Sequence, residues 1–81
     1  MPLVAEVVMY AREGCHLCDE AREAILALRE ELGFSYREVS IEGDPELERE
    51  HGLRIPVVLL DGEEAFEYRV DPGELRRLLA P

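Results

Sequence analysis

An apolar run, Val7-Val8-Met9-Tyr10, stands just ahead of Cys15-His16-Leu17-Cys18, and a helical pattern begins at the cysteine pair. This order constrains the fold more than any other feature of the chain. A run that is apolar on both faces reads as a central, doubly covered strand. Leu17, Ala21, Ala24, Ile25, Leu28 and Leu32 recur at three- and four-residue steps and predict the buried stripe of a helix from Cys15 or His16 to Leu32. The chain must therefore deliver both sulfurs to the opening turn of a helix, directly after a strand. That placement suits dithiol chemistry, because unpaired N–H groups and the helix dipole favour a thiolate there.

Turn chemistry divides the remainder. Leu3 to Tyr10 is predicted as strand one and Gly33 as the left-handed stop of the first helix. Phe34 to Ile41 is predicted as strand two. Its alternation slips phase between Tyr36 and Val39, which suggests an edge position with a bulge or bend. Asp44-Pro45 supplies a cap and a first-turn proline for a short helix that Gly52 ends. Val57 to Leu60 is strand three, Asp61-Gly62 a two-residue hairpin, and Glu64 to Tyr68 strand four. Asp71-Pro72-Gly73-Glu74 reads as cap, first-turn proline and capping-box glutamate for a last helix whose apolar face is Leu75, Leu78 and Leu79. A strand–helix–strand start implies a right-handed crossover and a parallel pair. The fold class is α/β, in the order β-α-β, short α, β-β-α. A four-stranded mixed sheet with helices on both faces is expected, the minimal thioredoxin fold, in one domain spanning residues 1–81.

Charge limits the partners. Nineteen acidic and nine basic residues give a net charge of −10, which disfavours nucleic acid and anionic membrane surfaces. No apolar run approaches the ~18 residues of a membrane span. The N-terminal residues lack the basic start and cleavage site of a secretory signal, so a cytoplasmic location is expected. Two cysteines three apart then read as catalytic or metal-binding before they read as a structural staple. All nine basic residues are Arg, and Lys, Asn, Gln, Thr and Trp are absent. Codon bias in a G+C-rich genome accounts for this, as does heat adaptation through Arg–Glu surface networks.

Tyr10-Ala11-Arg12-Glu13-Gly14-Cys15-His16-Leu17-Cys18 resembles the strand end, basic residue, turn and C-x-x-C of the glutaredoxin-like family, and Arg54-Ile55-Pro56 resembles its x-V/I-P segment. The resemblance covers nearly the whole chain in element order and these two segments as motifs. It implies a thiol–disulfide oxidoreductase acting on protein disulfides or glutathione mixed disulfides, and a cis bond before Pro56. No bound organic cofactor is implied beyond the Cys15–Cys18 pair itself, with glutathione, another dithiol or a reductase as electron donor. A monomer is expected. The chain departs from the glutathione-using members after strand four. Tyr68-Arg69-Val70-Asp71-Pro72-Gly73 stands where they carry a glycine pair and Asp, so Asp71 also reads as a plain helix cap.

Each candidate residue has a chemical and a plain reading. Cys15 is the expected nucleophile and Cys18, one turn on, the resolving thiol. The alternative is half of a zinc or iron–sulfur site, or a redox-sensing interaction domain. A metal site normally takes four ligands, and the chain offers few others. His16 as a cation would stabilise a thiolate at Cys15, or its ring faces solvent. Glu13, Asp19 and Glu20 act in the opposite sense. Arg12 and Arg54 either attract an anionic substrate group or pair with nearby acids. Ile55 offers backbone groups to an extended substrate beside Pro56. Tyr10 reads as packing with a minor substrate contact. His51 closes the short helix, where a cation suits the dipole.

Overall fold

The computed structural model describes residues 5–79. Its elements are β1 (Glu6–Ala11), α1 (His16–Leu32), β2 (Ser35–Ser40), α2 (Pro45–His51), β3 (Val57–Leu60), β4 (Glu63–Glu67) and α3 (Pro72–Leu79). The strands form one sheet in the order β2-β1-β3-β4. β1 and β2 run parallel from Glu6↔Ser35 to Ala11↔Ser40. β3 runs antiparallel to β1, from Val7↔Leu60 to Tyr10↔Val57, and antiparallel to β4. This is the expected minimal thioredoxin fold.

Register sorts the core into two faces. Val7, Met9 and Ala11 of β1 and Val58 of β3 join Cys18, Ala21, Ile25 and Leu28 of α1 and Leu75 of α3 in one cluster. Each large side chain buried there contributes about 1.5–3 kcal/mol. Val8 and Tyr10 alternate to the other face of the sheet, opposite Leu59 and Val57. There Tyr10 meets His51 of α2. Helices thus lie on both faces.

The turn residues act as their chemistry requires. Gly33 closes α1 at φ 77°, and its N–H donates to the Arg29 carbonyl. Asp44 Oδ1 accepts from the amides of Glu46 and Leu47. Asp61 and Gly62 both take positive φ, 51° and 88°, as a hairpin of this type needs. Asp71 Oδ1 accepts from the amides of Gly73 and Glu74, so it caps α3. Glu74, expected to complete a capping box, is held by Arg77 instead.

Five further expectations need correction. β1 begins at Glu6 and runs to Ala11, and its expected residues Leu3 and Val4 lie outside the described part. β2 takes the expected edge, but its pairing with β1 is continuous, and the irregularity falls between Val58 and Leu59 against Phe66 and Glu64 of β4. An edge strand with both faces partly exposed needs no strict alternation, which explains the phase slip without a bulge. β4 ends at Glu67 because Tyr68 turns to φ 69° and donates its amide to the carbonyls of Arg54 and Pro56. Leu32 is 41% exposed, and the core takes Phe34, just beyond the Gly33 turn, instead. Leu78 is likewise 44% exposed, leaving Leu75 as the buried anchor of α3.

Candidate functional site

β1 carries the chain to Ala11, and Arg12 to Gly14 turn it, Gly14 at φ 77°. Cys15 then sits as the N-cap of α1 in extended backbone geometry. Its sulfur accepts a hydrogen bond from the Cys18 amide at 3.1 Å, and its carbonyl accepts from Asp19 at 3.1 Å. The two cysteines form a disulfide with Cα atoms 5.2 Å apart. Cys18 is fully buried within the main core cluster, whereas Cys15 is half-buried against its edge. Cys15 is therefore the cysteine nearer the surface, with Cys18 behind it. The Cys18 amide and the positive end of the helix dipole face the Cys15 sulfur.

The Arg54–Pro56 segment arrives at the same end of the sheet, because antiparallel pairing sets Val57 beside Tyr10. The Ile55–Pro56 bond is cis, as the resemblance implied. Pro56 is buried and Ile55 is half-buried on the edge of the cluster that Cys15 also touches. A shallow cavity of about 150 Å³ lies between Leu17, Glu20 and Ala21 of α1 and Tyr68, Arg69 and Val70.

The charged candidates are distributed differently. The His16 ring is 86% exposed and engages Glu20 one helical turn on, Nε2 to Oε2 at 3.1 Å. Arg69 approaches the other Glu20 oxygen at 3.9 Å. Arg12 is exposed, and a guanidinium nitrogen lies 3.5 Å from where a Cβ on Gly52 would stand. Arg12 thus covers the C-terminal end of α2, where a cation suits the dipole. Among the described residues no carboxylate lies within 4.0 Å of it. Arg54 donates to Glu64 at 2.5 Å and Glu67 at 3.1 Å, and reaches the Glu50 carbonyl at 3.3 Å. The bond to Glu64 raises its pKa first of all. Its charge is engaged by β4 and its geometry braces the loop before Pro56.

Asp19, next to Cys18, is held at 2.8 Å by Arg22, which also grips both oxygens of Glu38 at 2.7 Å. Arg22 therefore ties α1 to edge strand β2 and offsets the Asp19 charge near the sulfurs. The Arg22 hydrogen bonds hold the Glu38 carboxyl below its ordinary range, and Tyr36 adds a third bond at 2.9 Å. Burial, then the Glu38 bond, pushes the Tyr36 hydroxyl up.

Two contacts went unread in the sequence. The i,i+4 spacing of His16 and Glu20 was available as a signal. The stack of Tyr10 on His51, ring centroids 4.5 Å apart, had no local signal, because only the fold brings β1 and α2 together. Among the described residues no three His, Cys, Asp or Glu side chains converge as a metal site.

Comparison with known proteins agrees with this geometry. The profile of the family described as Glutaredoxin-like domain (DUF836) matches residues 6–80. An uncharacterized protein of Mycobacterium tuberculosis (strain ATCC 25618 / H37Rv) is 38% identical over 80 residues, covering 93% of this chain and 82% of its own. The solution NMR structure of protein Ne2328 from Nitrosomonas europaea is similar at a TM-score of 0.83 and 28% identity, over 99% of this chain and 96% of that one. The X-ray structure of protein XcR50 from X. campestris gives 0.77 and 37%, over 93% and 99%. Fasciola hepatica thioredoxin shares the fold, with a TM-score of 0.63 at 20% identity, over 94% and 78%. With its C-x-x-C pair at the head of α1 and a matching profile along nearly its whole length, the chain belongs to the glutaredoxin-like family of thioredoxin-fold proteins.

Proposed function

We propose that this protein is a thiol–disulfide oxidoreductase in which Cys15 attacks and Cys18 resolves. The observation that carries this reading is the half-buried Cys15 sulfur at the head of α1, with buried Cys18 bonded behind it. The Cys15 thiolate attacks one sulfur of a substrate disulfide, forms a mixed disulfide and expels the other sulfur as a thiolate. The Cys18 thiolate then attacks the Cys15 sulfur, releases the second substrate thiol and leaves the Cys15–Cys18 disulfide. Two electrons pass to the substrate, and glutathione, another dithiol or a reductase returns them.

The substrates we propose are protein disulfides and glutathione mixed disulfides, handled by a cytoplasmic monomer. Ile55, beside Pro56, supplies backbone groups for an extended substrate, and Tyr10 pairs with Val57, the residue after Pro56, and stacks on His51. Arg12 is the guanidinium available to an anionic substrate group, since Arg54 is engaged by Glu64 and Glu67. No helix among the described residues is long and apolar enough to cross a membrane.

Equilibration of metal-free protein in graded glutathione buffers, with the cysteine states read by mass spectrometry, tests this. A reversible intrachain disulfide is expected, at a potential within the ~−270 to ~−120 mV spanned by related dithiols. A pair that never oxidises reversibly removes the basis for exchange.

A further inference from the structure

His51 is a 9% exposed polar residue that the proposed chemistry leaves unused. Its ring stacks on Tyr10 with an interplanar angle of 18°. Its Nδ1 lies 3.4 Å from Arg54 Nη2, and its carbonyl accepts the Arg54 amide at 2.8 Å. A guanidinium only donates, so Nδ1 must be the acceptor. The neutral ring therefore carries its proton on Nε2, which faces Glu50 Oε1 at 3.8 Å. Arg54 in turn bonds Glu64 and Glu67, and its carbonyl accepts the Tyr68 amide at 3.2 Å. His51 thus links the end of β1, which leads into the cysteine turn, to the residue that precedes Ile55 and Pro56.

We infer that His51 is a positioning residue: the neutral ring holds the Arg54–Pro56 segment in the geometry a substrate disulfide meets, and protonation loosens that hold. This deepens the thiol–disulfide reading and rests on it for the consequence to rate. Protonation puts a second donor on Nδ1, pointing at a guanidinium that cannot accept. Cation then faces cation, and the contact of Nδ1 with the Arg54 guanidinium is lost, while the Arg54 amide keeps the His51 carbonyl. The other charged groups around the ring are Glu50 on its own helix, Glu64 and Glu67 of β4 behind Arg54, and Arg12 over Gly52. Tyr10 is the titratable residue that β1 places against the ring.

The test uses a His16→Gln background, which leaves His51 as the sole histidine of the two. NMR follows the His51 ring and the Ile55 and Tyr68 amides through a pH titration of the oxidised protein. In parallel, the rate of reduction of a small aromatic disulfide is divided by the Cys15 thiolate fraction, measured by iodoacetamide alkylation at each pH. Both amides should titrate with the ring's own midpoint. The normalised rate should fall about 2- to 10-fold below it, the effect of one weak hydrogen bond. His51→Gln, which can still accept from Arg54 without titrating, should abolish that pH step and keep the high-pH rate. His51→Phe, which keeps the stack but accepts nothing, should show the low rate throughout. Amides indifferent to the ring, or a pH step unchanged in His51→Gln, overturn the inference while exchange itself stands. Absence of exchange at every pH overturns the thiol–disulfide reading and the rate consequence with it. The amide titration then decides the structural hold alone, as it does if His51→Gln fails to fold.

Discussion

The amide of Cys18 donates to the sulfur of Cys15 at 3.1 Å, so the first turn of α1 is closed by a side chain that is also the half-buried member of the disulfide. A serine or threonine normally fills that capping position. Here the cap of the helix and one sulfur of the disulfide are the same atom, and the two sulfurs acquire different surroundings from their place in one helical turn.

Replacement of each cysteine should separate the two roles. Cys15→Ser is expected to abolish exchange while the hydroxyl still caps α1, so the melting temperature of the reduced protein should change little. Cys18→Ser should accumulate mixed disulfides on Cys15, visible by mass spectrometry, and keep some monothiol activity. Complete loss in both variants without trapping contradicts the assignment.

Accessibility should follow burial. In the reduced, folded protein, iodoacetamide is expected to label Cys15 and spare Cys18, which is fully buried in the core. Peptide mapping after a short pulse reads this directly. Equal labelling of both under native conditions means that α1 opens readily or that the sulfurs exchange places on reduction.

Gly33→Ala isolates a conformational cost. Gly33 sits at φ 77° and a Cβ there meets nothing within 4 Å, so the penalty is the left-handed backbone alone. About 1–2 kcal/mol is expected. For a domain of this size each kcal/mol lowers the melting temperature by about 4–8 °C. Gly33→Asn should recover part of the loss, since asparagine tolerates this region better. An unchanged melting temperature in Gly33→Ala contradicts the assigned cap.

Acid should destabilise the protein partly through Glu38. Its folded pKa lies below its ordinary value because Arg22 bonds both its oxygens. A depressed folded pKa contributes stability that is present above the unfolded pKa of about 4.3 and is lost as pH falls through the folded value. The pair is about one-third exposed, and solvent screening limits its worth to about 1 kcal/mol or less. Glu38→Gln should therefore lower stability at pH 7 and flatten the acid limb of a pH–stability curve. Parallel curves for the two proteins contradict this.

Most of what is decided within a few neighbouring residues was legible in the chain, the Glu74 capping box and the His16–Glu20 pair excepted. Gly33, Asp44-Pro45, Asp61-Gly62 and Asp71-Pro72 mark their turns and caps through local backbone and hydrogen-bonding preferences, and the structure places each where those preferences act. The same holds for the sulfurs, since a strand followed by a helix beginning at Cys15 fixes their position without knowledge of any other element. The apolar stripes were legible in period but not in extent: Leu32 and Leu78 fit the helical spacing yet are exposed, while Phe34 and Leu75 are buried and Leu79 packs against the core.

Sequence by itself thus determined the element order, the helix ends and the dithiol at the head of α1, because each depends on torsions and bonds spanning at most one or two turns. Tertiary structure decided which charges are engaged and which stay available. Arg12 and Arg54 are equivalent on paper, but only Arg54 is brought against Glu64 and Glu67 by the β3–β4 pairing. His51 reads as a helix-end cation until the sheet carries Tyr10 beneath it and the turn after α2 brings Arg54 to its Nδ1. Those contacts join residues from different elements, and their energies depend on distances of a few ångströms that only the packed fold sets.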